Sequence, residues 1–194
     1  MSGGDAAYFH QTIKDSVRAI EAVASLEAPC LQAATLVADS LKYGGKIMAC
    51  GNGGSAADAS HFATELLCRF CDDRRSLAAI SLCGDPSFLT AAANDYDFNH
   101  VFSRQVEGLG KPGDVLLTIS TSGNSANILA ALRVARERGL QSIALLGRDG
   151  GLAKGLADAE IIVPDPSTAR IQEAHILILH LICGLVERRL FPTS

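Results

Sequence analysis

The chain has 194 residues, of which 48% are hydrophobic and 20% are charged, and its formal net charge at pH 7 is −4. That size and composition predict a single globular domain, residues 1–194, that buries roughly two thirds of the surface of its unfolded chain. The acidic balance and the lack of a basic block argue against nucleic acid as a partner, because binding to a phosphate backbone needs clustered Lys and Arg side chains.

Two further features bear on the compartment. Residues 1–20 carry charges throughout and lack the apolar run of a signal peptide, and the longest strongly apolar run, 176–186, is too short to span a bilayer. The six cysteines are scattered rather than spaced as a disulfide framework, and the lone C-x-x-C at 68–71 has no second pair that would make a zinc knuckle. We therefore expect a soluble, cytoplasmic protein with reduced thiols and no membrane partner.

The first 44 residues are predicted to form two helices ahead of an α/β core at 45–194. Apolar side chains recur every three or four residues over 5–27, and a second helix begins at Pro29 and ends near Tyr43, before two glycines. A long amphipathic helix before the first strand has no crossover to make between strands. It is expected to pack against a partner subunit, with docking on its own sheet as the alternative.

From residue 46 onward, strand and helix patterns alternate. Predicted strands lie at 46–50, 77–82, 114–119, 141–146 and 159–163, with helices at 55–69, 85–93, 98–108, 125–138, 151–157 and 168–190. Five strands joined by helices predict an α/β fold in which a parallel sheet is covered on both faces. If the strand order is 2-1-3-4-5, the first and third strands are neighbours, and the loops after them open side by side where such sheets bind ligands.

Those two loops are rich in small polar residues. The first contains Asn52, Gly53, Gly54 and Ser55, whose glycines allow close backbone approach and whose serine can cap the next helix. The second, at 120–125, reads S-T-S-G-N-S and offers hydroxyl and N–H donors suited to a phosphomonoester at a helix N-terminus. It lacks the G-K-[ST] signature of a P-loop, which argues against nucleotide hydrolysis.

Two helices carry residues capable of acid–base or metal chemistry. His61 and Glu65 are four apart and so share a helix face, where they either bind a metal or form a solvated pair. His180 lies in an apolar stretch of the last helix, where a histidine is more often a hydrogen-bonded core residue than a ligand. Helical periodicity aligns Glu173 with His180 more closely than Gln172, so spacing alone does not select Gln172 as a ligand.

Several short motifs stand out along the chain: G-N-G-G-S-A at 51–56, H-F-A-T-E-L at 61–66, A-N-D at 93–95, S-T-S-G-N-S at 120–125 and A-R-I-Q-E-A-H at 169–175, followed by His180. Together they resemble the sugar isomerase (SIS) domain family over nearly the whole chain. The resemblance implies a five-stranded parallel sheet, a homotetramer with the N-terminal helix in its contacts, and active sites between subunits. It also implies conversion of sedoheptulose 7-phosphate to D-glycero-D-manno-heptose 7-phosphate, the first step toward the heptose of lipopolysaccharide or capsule.

The resemblance also implies roles for individual residues. It implies one zinc ion per subunit held by His61, Glu65, Gln172 and His180, with Glu65 and His180 as the acid–base pair. It places Asn94 against sugar hydroxyls and the serine-rich loop against the phosphate. The residues that it assigns to the sugar phosphate are Asn52, Gly53, Gly54, Ser55, Glu65, Asn94, Asp95, Ser120, Thr121, Ser122, Ser125 and Gln172.

The chemistry implied is aldose–ketose isomerisation through an enediol. A base removes a proton from C1 and returns it at C2, while an acid moves a proton between O2 and O1. A carboxylate bound tightly to zinc is a poorer base, so Glu65 as both ligand and base requires a loose metal bond or a switch during turnover. The alternative function is a non-enzymatic SIS-domain binder of the replication initiator DnaA, but that binder lacks equivalents of Glu65 and His180. A sugar-phosphate sensor, the third option, would keep the serine loop without the metal set.

Overall fold

A computed structural model describes residues 3–192 and shows a parallel sheet between two layers of helices. The elements in chain order are α1 (Gly3–Ala22), α2 (Glu27–Lys42), β1 (Ile47–Gly51), α3 (Gly54–Leu67), β2 (Ala79–Ser81), α4 (Pro86–Asp95), α5 (Ser103–Leu109), β3 (Val115–Ser120), α6 (Ala126–Glu137), β4 (Gln141–Gly147), β5 (Ala159–Val163) and α7 (Thr168–Leu190). Short 3-10 turns lie at Val23–Leu26, Phe98–His100 and Gly151–Ala153.

The sheet has the predicted topology. Its five strands are parallel and follow the order β2-β1-β3-β4-β5, which confirms the predicted sheet. β1 and β3 are direct neighbours, and Gly51 pairs with Ile119 at their carboxyl ends. The chain leaves β1 toward the layer that contains α3 and leaves β3 toward the opposite layer, which contains α6. The loops after these two strands therefore form the walls of one crevice.

The strands send alternate side chains into two apolar cores. Ile47 of β1 and Leu117 of β3 are buried beneath α2, α3 and α7. Met48 and Leu116, one residue along, are buried beneath α4, α5 and α6. Burial of apolar surface stabilises the fold by roughly 25 cal/mol per Å². A sheet covered on both faces is thereby a rigid base for the loops at its carboxyl edge.

The first predicted helix is interrupted. It ends at Ala22, and a 3-10 turn separates it from α2, which begins at Glu27 rather than at Pro29. Pro29 has no N–H to donate to the carbonyl of residue 25, and its ring crowds that carbonyl, so an α-helix cannot run through this point. Within the first turn of α2 the missing donor is tolerated, because first-turn N–H groups have no partner inside a helix.

Two other predicted elements are shorter in the structure. β2 covers three residues rather than 77–82, because the Leu77 N–H donates to the Leu66 carbonyl oxygen of α3, 3.1 Å away. The helix predicted at 151–157 is a single 3-10 turn. Gly150 and Gly155, on either side of that turn, have φ angles of 91° and 83°, a left-handed conformation that ends a right-handed helix.

The N-terminal helices pack on the last helix of the same subunit. Both α1 and α2 contact α7, so α1 docks on its own domain. α1 also carries an apolar stripe exposed to solvent, in which Phe9, Ile13 and Val17 are 61%, 47% and 49% exposed. By length and composition alone, Gly4–Lys42 and Thr168–Leu190 are apolar enough to cross a membrane, a test that core helices of soluble proteins also pass. The apolar side chains of α7 are such a core, buried against α2 and α3.

Candidate active site

The crevice at the carboxyl ends of β1 and β3 is lined by two tight loops. In the first, Gly53 has φ 57° and ψ −123°, which side chains with a Cβ rarely adopt, and α3 begins at the next residue. In the second, Gly123 has φ 64°, and α6 begins at Ala126. Both helices therefore start at the crevice, and the unpaired N–H groups of their first turns make it a place for an anion.

The predicted helix cap by Ser55 is wrong. α3 begins at Gly54, and no side chain accepts a hydrogen bond at this end of the helix. The turn at Gly53 places Ser55 inside the first helical turn, where it is 3% exposed and its backbone N–H donates to the Asn52 carbonyl oxygen at 3.1 Å. Because Ser55 lies in the first turn, its hydroxyl does not cover the helix end.

A reciprocal pair of amides joins the two loops. The Asn52 side chain donates to Asn127 Oδ1 at 2.9 Å, and the Asn127 side chain donates to Asn52 Oδ1 at 2.9 Å. Asn127 lies in the first turn of α6 and is 3% exposed. The pair fixes the spacing of the two walls, since each amide satisfies the donor and the acceptor of the other.

The serine loop is held in shape by its own hydroxyl oxygens. Ser120 Oγ accepts from the Gly123 N–H at 3.1 Å, and Ser122 Oγ accepts from the Asn124 N–H at 3.2 Å. Ser120 Oγ and Ser125 Oγ lie 3.5 Å apart. A hydroxyl whose oxygen accepts a bond keeps its hydrogen to donate, so the loop presents several O–H donors in a small space. Such an uncharged set of donors is suited to a phosphate group.

A second loop supports the serine loop from behind. A Cβ added to Gly123 would lie 1.9 Å from the Gly150 carbonyl oxygen, so only a glycine fits between the two backbones. The Leu152 N–H donates to Asn124 Oδ1 at 3.0 Å, which ties the same two segments together. The serine loop is thus fixed by the loop that follows β4 as well as by its own bonds.

Side chains of α3, the helix that starts at the crevice, meet a side chain of α7. His61 Nε2 lies 3.1 Å from Glu65 Oε1 on the same helix and 3.0 Å from His180 Nε2 on α7. The two imidazole ring centroids are 5.1 Å apart. The structure therefore brings together an imidazole and a carboxylate from α3 and an imidazole from α7. The two histidines, His61 and His180, are 119 positions apart in sequence. His180 is a surface-facing member of this group rather than a core histidine.

The chemistry of this cluster fits a zinc ion. Imidazole nitrogen and carboxylate oxygen are zinc ligands, and neighbouring donors around a tetrahedral zinc lie about 3.3 Å apart, close to the two separations from His61 Nε2. A single N–H on His61 Nε2 cannot donate equally well to Glu65 Oε1 and His180 Nε2, whereas one cation can bind all three atoms. Within residues 3–192 no three such side chains are already arranged around a common point, so metal binding requires these side chains to turn.

The structure separates Gln172 from Glu173. A Cβ on Gly54 would lie 2.5 Å from Gln172 Nε2, which places the Gln172 amide against the start of α3. Glu173 instead forms an ion pair with Arg170, which also donates to the Thr12 carbonyl oxygen of α1 at 3.2 Å. Helical periodicity had favoured Glu173, and the tertiary contacts place Gln172 beside the crevice.

Asn94 and Asp95 lie apart from these groups. They occupy the last two positions of α4, are exposed, and hydrogen-bond each other, Nδ2 to Oδ1, at 2.9 Å. In the part of the chain that the structure describes, no hydrogen bond joins them to either loop. Their assignment to the sugar hydroxyls stays a prediction from the family resemblance.

Two further titratable side chains have shifted pKa values, the half-buried Asp58 of α3 and the buried His175 of α7. Burial raises the pKa of Asp58, and the nearby His61 partly offsets that rise. Burial lowers the pKa of His175 to about 4, against a smaller rise from its hydrogen bond to the Leu146 carbonyl oxygen at 3.0 Å. His175 is fully buried and neutral, and it ties α7 to the carboxyl end of β4.

Sequence reasoning missed several residues that shape the site. Asn127 was the easiest of them to find from the sequence, because a polar residue beside Ile128 on the buried side of a helix needs a buried hydrogen-bond partner. Phe70, whose ring centroid is 5.5 Å from that of His180, gave no sequence signal, because its loop has no periodic pattern.

Comparison with known proteins agrees with this geometry. A family model described as SIS domain matches residues 8–147. The phosphoheptose isomerase of Geobacter sulfurreducens is 56% identical over 159 residues, which cover 82% of this chain and 84% of the relative. The phosphoheptose isomerase of Neisseria meningitidis is 53% identical over 185 residues, which cover 94% of this chain and 92% of the relative.

Solved structures show the same relationship. The phosphoheptose isomerase GmhA from Neisseria gonorrhoeae superposes with a TM-score of 0.85 at 50% identity, covering 93% of this chain and 96% of that chain. The phosphoheptose isomerase from Francisella tularensis superposes with a TM-score of 0.87 at 38% identity, covering 97% of this chain and 100% of that chain. With the matched domain, the strand order and the paired loops all in agreement, the chain belongs to the SIS domain family.

Proposed function

We propose that this protein is an aldose–ketose isomerase that converts sedoheptulose 7-phosphate to D-glycero-D-manno-heptose 7-phosphate. The observation that carries the proposal is an imidazole and carboxylate cluster of His61, Glu65 and His180 on α3 and α7, with α3 beginning at the same crevice as the loop at 120–125. Relatives with more than half of their aligned residues identical to this chain are phosphoheptose isomerases. A phosphate held by that loop leaves the far end of an open-chain sugar free to reach the cluster.

In the proposed reaction the phosphate group is held by the hydroxyls of the serine loop and the N–H groups at the start of α6. Glu65 removes the proton from C1 of the ketose, and His180 donates a proton to the O2 carbonyl oxygen, which gives the enediol. Glu65 then returns its proton to C2 while His180 takes the O1 proton, so the aldose forms and both side chains are regenerated. No atom enters or leaves in the net reaction.

We also propose that His61, Glu65, Gln172 and His180 hold one zinc ion per subunit. When bound, a zinc ion would stabilise the negative charge that develops on the enediolate oxygen. A tight bond to Glu65 would weaken it as a base, so the proposal requires Glu65 to be a loosely held ligand.

The assembly and pathway belong to the same proposal. We propose a cytoplasmic homotetramer, and the exposed apolar stripe of Phe9, Ile13 and Val17 on α1 is suited to a contact between subunits. The heptose phosphate would supply the precursor of lipopolysaccharide or capsule heptose. No observation on the described residues favours the DnaA-binding alternative, and the clustering of Glu65 with two histidines favours an enzyme.

The test is to incubate the purified protein with sedoheptulose 7-phosphate, with and without a chelator, and to identify the heptose phosphate formed. Conversion by the untreated protein is expected, with loss after chelation and recovery on adding zinc. Absence of conversion under every condition refutes the isomerase. Conversion that is indifferent to chelation keeps the isomerase and removes zinc from the proposal.

Two substitutions test the acid–base assignment. Glu65→Gln and His180→Gln are each expected to lower kcat by about 100-fold or more, because each removes a group that moves a proton in the reaction. Circular dichroism and gel filtration would check that the variants keep the fold and assembly of the unmodified protein. Full activity in either variant refutes the role of that residue.

A further inference from the structure

The segment after α3 folds back onto α7 around one buried carboxylate. Glu187 of α7 accepts hydrogen bonds from the Phe70 N–H at 3.0 Å and the Cys71 N–H at 3.1 Å. It also accepts from Arg74 Nε at 2.8 Å. Hydrogen bonds from the backbone and from Arg74 lower the pKa of Glu187 despite the opposing effect of burial, so the carboxylate is charged. Residues 68–74 are thereby fastened to the C-terminal part of α7.

Arg74 fastens the same segment to α3. Its guanidinium donates to the carbonyl oxygens of Glu65 at 2.7 Å and Leu66 at 2.9 Å, in the last turn of the helix, and to that of Cys68 at 3.2 Å. These carbonyls have no partner inside the helix, so Arg74 acts as its C-terminal cap. The Arg74 and Glu187 side chains are 3% and 6% exposed. One buried ion pair therefore connects the helix that carries Glu65 with the helix that carries His180.

Phe70 lies between this ion pair and the cluster. Its ring centroid is 5.5 Å from that of His180, with the two planes inclined by 32°. The ring also covers Gly184 of α7, where an added Cβ would meet it at 3.5 Å. The His180 imidazole also contacts His61, at 3.0 Å between the Nε2 atoms. His180 is thus in contact with both an aromatic ring and a second imidazole.

We propose that Phe70 is a positioning residue that orients the His180 imidazole, and that the buried Arg74 and Glu187 pair holds Phe70 in place. The inference rests on the proposed isomerase function, in which His180 moves a proton. Buried ion pairs add little net stability compared with apolar residues of similar size. This pair instead restricts the segment, because Glu187 binds the Phe70 and Cys71 N–H groups and Arg74 binds the end of α3. Here the arrangement places a flat ring against an imidazole on a helix surface. A displacement of about 1 Å at a reacting group lowers rates by about 100-fold, which makes such restriction valuable.

The test compares Phe70→Leu with Phe70→Tyr. Leucine keeps an apolar side chain but not the flat ring, and kcat is expected to fall about 10-fold with KM changed by less than about twofold, because the phosphate loops are untouched. Tyrosine keeps the ring and is expected to retain kcat within about threefold. Tyr43→Ala, at a position 80% exposed at the end of α2 and before the amino end of β1, serves as the control and is expected to leave both constants unchanged. Equal kcat in the leucine variant and the unmodified enzyme overturns the proposal.

The role of the ion pair is tested by Glu187→Gln, alone and combined with Phe70→Leu. If Glu187 acts through Phe70, the charge-removing variant lowers kcat on its own but has no further effect when the ring is absent. Independent, multiplicative losses overturn this part of the proposal. If Glu187→Gln does not fold, the comparison of leucine and tyrosine at position 70 still decides the role of Phe70.

A second readout does not depend on activity. Crystal structures of the unmodified protein and Phe70→Leu, both prepared free of metal, are expected to differ in the His180 side chain, which should leave its contact with His61 when the ring is lost. An unchanged contact overturns the proposal. Failure of the unmodified protein to convert the heptulose phosphate would instead refute the proposed function, and the crystal comparison would still decide whether Phe70 orients His180.

Discussion

The amide pair that joins the two crevice loops offers a quantitative test of how the site is assembled. Replacing Asn127 with alanine removes two hydrogen bonds of 2.9 Å and leaves the Asn52 amide without its partner. Each such bond contributes about 1 kcal/mol net, and an unpaired buried amide adds to the loss. The free energy of unfolding is therefore expected to fall by about 2 to 3 kcal/mol.

The same loss of stability is expected whether Asn127 or Asn52 is replaced. Asn52→Ala breaks the same bonds, so the double variant is expected to be less destabilised than the sum of the single variants by about 1 to 2 kcal/mol. Urea unfolding at one protein concentration measures these values and avoids effects of subunit assembly. The KM for the sugar phosphate is expected to rise in each single variant, because the two walls of the crevice lose their fixed spacing.

Additive destabilisation would contradict this reasoning, since it would mean that the two amides stabilise the protein independently. An unchanged KM in Asn127→Ala would contradict the idea that the pair sets the width of the crevice. Both outcomes together would leave Asn127 as an ordinary buried residue of α6.

Four further variants probe the surrounding structure. His175 has a pKa lowered from 6.5 to about 4 by burial, so below its unfolded pKa only the unfolded state gains the proton, and about 2 kcal/mol of stability is expected to be lost between pH 7 and pH 5. Urea unfolding should show that His175→Gln lacks this loss, and an equal loss in both proteins would contradict it. Gly113→Ala, with φ 94° and open space around it, should cost about 1 kcal/mol, whereas Gly123→Ala should cost about 3 kcal/mol or more because of the backbone clash; equal losses would exclude the clash. Gly54→Ala should displace the Gln172 amide and lower kcat about 10-fold with little change in stability, and an unchanged kcat would argue against a role for that amide.

The sheet and its two loops were predictable because their signals are local. Buried parallel strands are short apolar runs, and each is followed by small polar residues where the chain turns into a helix. The strand order 2-1-3-4-5 was the one that brings the two loops together where such sheets bind ligands, and the structure confirms it. One prediction failed because a local signal was overridden by a neighbour: Leu77 bonds to α3, and β2 is shorter than its apolar run.

The candidate site likewise contains features with a local sequence signal and features that depend on contacts between distant segments. Its residue types and the serine loop could be recognised in sequence, because hydroxyl-rich turns and histidine–glutamate spacing are short-range patterns. The choice between Gln172 and Glu173 could not be made from the sequence, because helical periodicity favours Glu173. Only the contact with Gly54 places Gln172 at the crevice. The cap formed by Arg74 and Glu187 joins positions 113 residues apart, and no local pattern reports such a pair.

The sequence by itself determined the fold class, the order of the helices and strands, and the chemical character of both loops, because these depend on hydrophobic periodicity and turn-forming residues within short segments. The tertiary structure alone decided which side chains meet. His61 and His180, the two asparagines and the Arg74 and Glu187 pair are each brought together by the packing of α3, α6 and α7 on the sheet. Side-chain contacts between distant segments depend on the relative placement of whole helices, and that placement is the result of burying all their apolar faces at once.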